Sequence, residues 1–303
     1  MQKTNLLLIL LMLSFMGHSC MSKKATNQKA PDDIMENFVY IPEGIAILND
    51  DTIAVNPFRM SRYELSNHKY LEFLNDLKGR GLDAKYKTVL PDTAQWTNFT
   101  EYGKPLAENY LRHPAYRNYP VVNISHEAAI LFCEWLTEKY NSNSETGTRY
   151  VFRLPTHSEW LRAAQAGQNR PYSWNSPFLR DEQGRFRANF KHIPNELLTF
   201  DQQTQQLRIA QSTVRYGFFQ VDEDGKPGTT VTITTPVDSY WTGISDLYNM
   251  NGNVAEMIED KGIAVGGSWN CPGNDVQNTS VMSYKGPSPF VGFRVVMTKE
   301  SID

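Results

Sequence analysis

The residues that could carry redox or metal chemistry are few. The thiols are Cys20, Cys133 and Cys271, and the histidines are His18, His68, His113, His126, His157 and His192. A soft metal such as Cu(I) selects paired thiolates. Cys20 belongs to the N-terminal segment, which leaves Cys133 and Cys271, far apart in sequence, as a weak disulfide candidate. The histidines lack the short spacings of a zinc or iron site and read as surface or hydrogen-bonded side chains. Val265-Gly266-Gly267-Ser268 has two adjacent glycines and no following lysine, so it is no phosphate cradle. Ser268 lacks the strand–turn–helix context of an activated nucleophile and reads as structural. Arg294 reads as the partner of a buried carboxylate, the alternative being a ligand anchor.

The N-terminus reads as an address. Leu6–Met16 is apolar except for Ser14, shorter than the roughly 20 residues of a membrane-spanning helix, and suits a signal-peptide core. Gly17-His18-Ser19-Cys20 follows, with small residues three and one positions before the cysteine. This resembles a bacterial lipoprotein signal over 1–19, cleaved before a lipidated Cys20. Ordinary cleavage nearby is the alternative. Residues 20–35 are polar and read as the lipidated Cys and its tether, and several acyl chains on Cys20 would anchor the protein firmly to a membrane.

The rest of the 303 residues must position any site. Forty per cent hydrophobic residues argue for a folded chain, and a net charge of −3 without a basic run argues against nucleic-acid binding. Phe38–Ile41, Ile45–Leu48 and Thr52–Val55 read as short antiparallel strands, with Asn49-Asp50-Asp51 as a turn. Ser66 caps a helix whose Tyr70, Phe73, Leu74 and Leu77 share a face. Ser125 starts another, with Ala129, Phe132, Cys133, Leu136 and Tyr140 inward, which makes Cys133 a core residue. Thr156 and Glu159 spell a capping box and Gly167 a left-handed terminus. From Arg170 to about Pro236 the chain is turn-rich and aromatic, so something besides a regular core must pin it. With no internal linker, 36–303 reads as one domain.

Ten segments in order carry a family resemblance: Phe38–Gly44, Tyr63–Asn67, Tyr119–Val122, Phe132–Leu136, Arg153–Thr156, Pro236-Val237, Leu247–Met250, Gly252–Val254, Gly266–Trp269 and Gly292–Arg294. No one of them is specific, but the ordered set resembles the formylglycine-generating enzyme (sulfatase-modifying factor) family. The resemblance implies an α+β, C-type-lectin-like fold with little regular secondary structure. Within that superfamily, Leu90–Thr93, Trp96, Asn109–Tyr116, Asp222–Gly225 and Gly252–Glu256 are similar to the gliding-motility lipoproteins J and K, which are non-catalytic outer-membrane proteins of the type 9 secretion and motility machinery.

The family's oxidase uses two cysteines, eight and thirteen residues after the Ser of Gly-Gly-Ser, to hold copper. Counting from Ser268 lands on Val276 and Val281, and no cysteine follows Cys271. No copper is therefore expected. The family's histidine-bound iron branch needs an extra helical domain that Met21–Met35 cannot supply. Ala255 and Met257 stand where the family has Trp, so either a substrate face or the core has changed there. The resemblance also implies two structural Ca²⁺ sites. One would take the side chains of Asn189 and Asp224 with the carbonyls of Phe190 and Lys226. The other would take the side chains of Asn249 and Glu256 with the carbonyls of Gly252 and Val254. Both sets are the hard oxygen donors that Ca²⁺ prefers, although Asp224-Gly225 reads equally as a turn and Glu256 as a surface carboxylate. The function implied is a lipid-anchored, non-catalytic structural or partner-binding component of the Gram-negative envelope. It would sit at the outer membrane, with secretion or motility proteins as partners. An oxidase working through other ligands is the rival reading, and carbohydrate binding rests on fold analogy alone.

Overall fold

A computed structural model of the chain describes residues 36–99, 103–142, 148–191, 198–209 and 233–301. Strands β1 (Phe38–Ile41), β2 (Gly44–Leu48), β3 (Asp51–Val55) and β4 (Phe58–Ser61) open it. β2 and β3 form the expected hairpin, with Leu48 facing Asp51. Asn49 and Asp50 both take positive φ, which gives the turn a twist that matches paired strands. β1 does not join that hairpin. It pairs antiparallel with β4, Phe38 facing Ser61, and buries Phe38 and Ile41.

Helix α1 (Asn67–Gly79) starts where Ser66 Oγ accepts from the Lys69 amide, and it buries Tyr70, Phe73, Leu74 and Leu77. Three short helices follow: α2 (Asp83–Thr88), α3 (Ala94–Phe99) and α4 (Gly103–Asn109). Their apolar residues are too few to show a period in sequence, although α3 buries Trp96. Helix α5 (His126–Asn141) is capped by Ser125 and buries Ala129, Phe132, Cys133 and Tyr140 as expected, with Trp135 added and Leu136 only partly covered. β5 (Thr148–Arg153) leads to α6 (His157–Gln165). At its start the Glu159 amide donates to Thr156 Oγ1 at 3.1 Å and the Thr156 amide donates to Glu159 Oε2 at 2.9 Å. The helix ends on two left-handed residues, Ala166 and Gly167, where the sequence pointed to the glycine alone.

Among its described residues the turn-rich stretch includes a hairpin, β6 (Leu198–Asp201) with β7 (Gln206–Ile209). What pins its start is an aromatic cluster. The rings of Tyr172 and Trp174 stack 4.8 Å apart and pack with Ala188, Phe190 and Val276. The Ser173 amide donates to Asn251 Oδ1 at 2.8 Å, tying the same segment to the loop before the next sheet.

That sheet comprises β8 (Ala255–Met257), β9 (Ile263–Val265), β10 (Val281–Ser283) and β11 (Val291–Gly292), in the order β10-β9-β8-β11. β11 runs parallel to β8, so Gly292 lies opposite Glu256. The closing strand is β12 (Val296–Ser301), which begins beyond Arg294. It sits between β4 and β5 in the other four-stranded sheet, order β1-β4-β12-β5. One apolar cluster joins α1 and α5 to Phe293 and Met297, and a second gathers Trp160, Leu161, Met60 and Val296. Arg294 stands between β11 and β12, at the seam of the two sheets.

Candidate functional site

At that seam Arg294 is wholly buried. Its Nε donates to Glu256 Oε2 at 2.7 Å and its Nη2 to Glu256 Oε1 at 2.5 Å. The remaining N–H groups reach the carbonyls of Ser61, Arg62 and Tyr248. All five guanidinium donors are thus used, the condition for keeping a cation out of water. Trp160 Nε1 donates to Glu256 Oε2 at 2.7 Å. Gly266 permits this approach: it has positive φ, and a Cβ there would lie 2.9 Å from the Trp160 ring. Arg294 therefore pairs a buried carboxylate as the sequence suggested, and its partner is the residue that the resemblance assigns to Ca²⁺.

A second carboxylate lies nearby. Glu64, between β4 and α1, is 2% exposed. Its Oε2 accepts from Asn253 Nδ2 at 2.7 Å and Asn249 Nδ2 at 3.1 Å, and its Oε1 from the Val254 amide at 3.1 Å. Burial and the charge of Glu256 push its pKa up to about 8, against the pull of Arg294 and the amide donors. Sequence reasoning quoted Glu64 only inside a family segment. Its one signal was an acid wedged between Tyr63 and Leu65 just ahead of a helix cap.

The second Ca²⁺ set, Asn249, Gly252, Val254 and Glu256, lies along one loop that enters β8. Asn249 spends its amide nitrogen on Glu64 and on the Val237 carbonyl, bonds that leave out its side-chain oxygen, the atom Ca²⁺ would take. Two carboxylates facing one guanidinium give the node an excess of negative charge whenever both ionise. Both Glu256 oxygens are already taken, by Arg294 and Trp160, so a Ca²⁺ ion would compete with those donors for this carboxylate. Of the first set, Asn189 and Phe190 are buried, while Asp224 and Lys226 lie outside the described residues, as does Cys20. The Asn189 carbonyl accepts from the Asn253 amide at 2.8 Å, and its Nδ2 donates to the Ile233 carbonyl. Gly252, with positive φ, sits where a Cβ would be 2.3 Å from the Asn189 carbonyl oxygen. The structure so brings Asn189 against the loop of the second set. Among the described residues no group of three or more His, Cys, Asp or Glu side chains is placed to hold a metal; each set implied by the resemblance has one carboxylate beside an amide and two main-chain carbonyls.

The structure places the two valines reached by counting from Ser268 in different surroundings. Val276 has no exposure and belongs to the Tyr172–Trp174 cluster, whereas Val281 begins β10 and is 51% exposed. Cys133 and Cys271 are both free thiols. Cys133 sits inward on α5, where burial raises its pKa, and Cys271 packs beside the Phe190 cluster with its sulfur 3.3 Å from Ser268 Oγ. Ala255 and Met257 are buried in the cluster under α5, so the missing rings were replaced by core packing. His126 is buried, with Nε2 2.9 Å from the Ile258 carbonyl. His113 Nδ1 caps a short turn through the Ala115 amide.

With this geometry in place, comparison with known proteins is decisive at the level of family. The sulfatase-modifying factor enzyme 1-like domain family matches residues 23–299. The chain belongs to this family. It is 23% identical over 270 residues to the formylglycine-generating enzyme of Thermomonospora curvata, covering 77% of the present chain and 74% of that protein. The formylglycine-generating enzyme of Bos taurus is 24% identical over 228 residues, and the match spans 69% of this chain but only 50% of the bovine one. Among solved structures, CarF aligns with a TM-score of 0.52 at 17% identity over 86% of this chain and 97% of its own. The sulfatase-modifying-factor-like, mixed α and β fold expected from sequence is thus established.

Removing Arg294 should expose how much rests on it. Arg294→Met leaves Glu256 buried without its counterion and is expected to lower stability by about 3–5 kcal/mol. Urea denaturation checks this, and a loss below about 1 kcal/mol would contradict it. Replacing Glu256 by Leu in the same chain should recover part of the loss.

Proposed function

We propose that this sulfatase-modifying-factor domain is non-catalytic and serves as a structural or partner-binding component of the cell envelope. The observation that carries the reading is the valine pair at the thiol positions. Hydrocarbon cannot ligate Cu(I), and Val276 is sealed inside an aromatic cluster. Cys133 and Cys271 pack in separate clusters, so they do not supply a replacement pair.

The anchor in this proposal is a lipidated Cys20, with residues 20–35 as the tether and 1–19 removed. No helix among the described residues is long and apolar enough to cross a membrane, so attachment would fall to the lipid. The similarity to gliding-motility lipoproteins J and K supports an outer-membrane location in a Gram-negative cell and partners in the type 9 secretion or motility machinery. Structural Ca²⁺ belongs to the same proposal. At one site it would use Asn249, Gly252, Val254 and Glu256, and at the other Asn189, Phe190, Asp224 and Lys226. The ion would offset the surplus carboxylate charge beside Arg294 and fasten the segment after Arg170.

Three measurements test the proposal. The purified protein incubated with Cu(I), O₂ and a Cys-containing sulfatase peptide should yield no aldehyde; aldehyde formation would refute the non-catalytic reading. Affinity capture from crosslinked envelopes should recover envelope proteins with the wild type and lose them with Cys20→Ala, which should also shift to the soluble fraction. An unchanged distribution of that variant would remove the anchor. After chelation, calorimetric titration with Ca²⁺ should show uptake together with a higher melting temperature. If about millimolar Ca²⁺ gives neither, the metal sites are wrong.

A further inference from the structure

Beside the Arg294 node, with Ser61 and Glu64 shared between the two, a cavity of about 360 Å³ opens between the first half of α1, the second half of α5 and strands β1 and β4. That volume lies within the range of small-molecule sites, about 300–1,000 Å³. Its inner wall is hydrocarbon. Phe38, Phe132 and Trp135 are buried there and Leu136 is half-buried. Trp135 has no hydrogen-bond capacity left to offer, because its Nε1 already donates to Asp76 Oδ2 at 2.9 Å. A deep polar ligand would therefore lose its hydration for little return.

The rim is different. Lys69 and Lys139 line the cavity and are exposed. Lys69 shares the Glu72 carboxylate with His68, at 3.3 Å from each. Arg117 adds a further cation, with Nη2 2.9 Å from His68 Nε2. Lys139 lies over the Trp135 ring, 4.6 Å from its centroid. Two lining cations, Lys69 and Lys139, thus face one rim carboxylate, Glu72, since Glu64, which also borders the cavity, is held by Asn249, Asn253 and the Val254 amide. The α1 N-terminus, which has no acidic residue in its first turn, adds partial positive charge on the same side.

We propose that this cavity binds a medium-chain carboxylate, its hydrocarbon chain against Phe38, Phe132 and Trp135 and its carboxylate between Lys69 and Lys139 at the mouth. The ligand class follows from the order of the surfaces: an apolar interior too small for a long acyl chain, then a cationic rim. It is independent of the thiol positions and of any metal.

Isothermal titration of the full chain with decanoate, kept below its micellar concentration, is the test. Decanoate should bind one to one, and decylamine and decanol should bind at least about tenfold more weakly. Leu136→Trp, which fills the cavity, should weaken decanoate binding at least about tenfold. Should that variant fail to fold, the Lys69→Gln, Lys139→Gln pair decides instead. It should keep the melting temperature and reduce the preference for carboxylate over alcohol to less than about threefold. Absence of decanoate binding would overturn the proposal. So would equal binding of the amine, or a lysine-pair variant that still prefers the carboxylate.

Discussion

The buried pair of Arg294 and Glu256 is the constraint around which the chain is arranged. A guanidinium removed from water is tolerable only if every N–H finds an acceptor and the charge finds a counterion. Here the acceptors come from places far apart in sequence: the end of β4 through Ser61 and Arg62, the loop at Tyr248, and β8 through Glu256. Meeting one side chain's needs therefore fixes β4, β8 and the β11–β12 junction relative to one another. Such a pair gives less stability than its Coulomb energy suggests, and its role here lies in specifying which segments meet.

Buried amides extend the same logic where regular structure is sparse. Asn253 donates to Glu64 and the Thr235 carbonyl and accepts from the Thr235 amide, while Asn251 joins Ser173 to the Val276 carbonyl. Gln165 does this at the end of α6, donating to and accepting from Ile47. Each such side chain stands in for a strand neighbour that the irregular backbone lacks, satisfying main-chain groups that would otherwise be buried unpaired.

What could be read from sequence was local. Ser66, Ser125 and the Thr156–Glu159 pair are short-range devices, and each starts a helix where its residues say it should. The Asn49-Asp50 turn is local too. The pairing of β1 with β4 and the insertion of β12 between β4 and β5 are choices made over long sequence distances. They depend on which buried faces fit together, and nothing in a ten-residue window encodes that. The site divides the same way. Counting from Ser268 reaches Val276 and Val281 within one short stretch of chain, and Arg294 betrayed itself as a cation among apolar neighbours. Glu64 escaped because its donors, Asn249 and Asn253, lie on a distant loop, and only the fold brings them to it.

If the domain is non-catalytic as proposed, the two valines reached by counting from Ser268 have taken separate structural roles. Val276 does more than omit a sulfur. It supplies packing to Tyr172, Trp174 and Phe190, the cluster that fastens the segment following α6. A cysteine in its place would sit among buried rings, with burial opposing the thiolate that Cu(I) needs. Its counterpart position, Val281, is exposed at the edge of a sheet. One position has become part of the core and the other part of the surface, so restoring two sulfurs would not by itself restore a shared coordination sphere. On the non-catalytic reading proposed above, residues that hold this irregular domain together stand where copper chemistry would need its ligands.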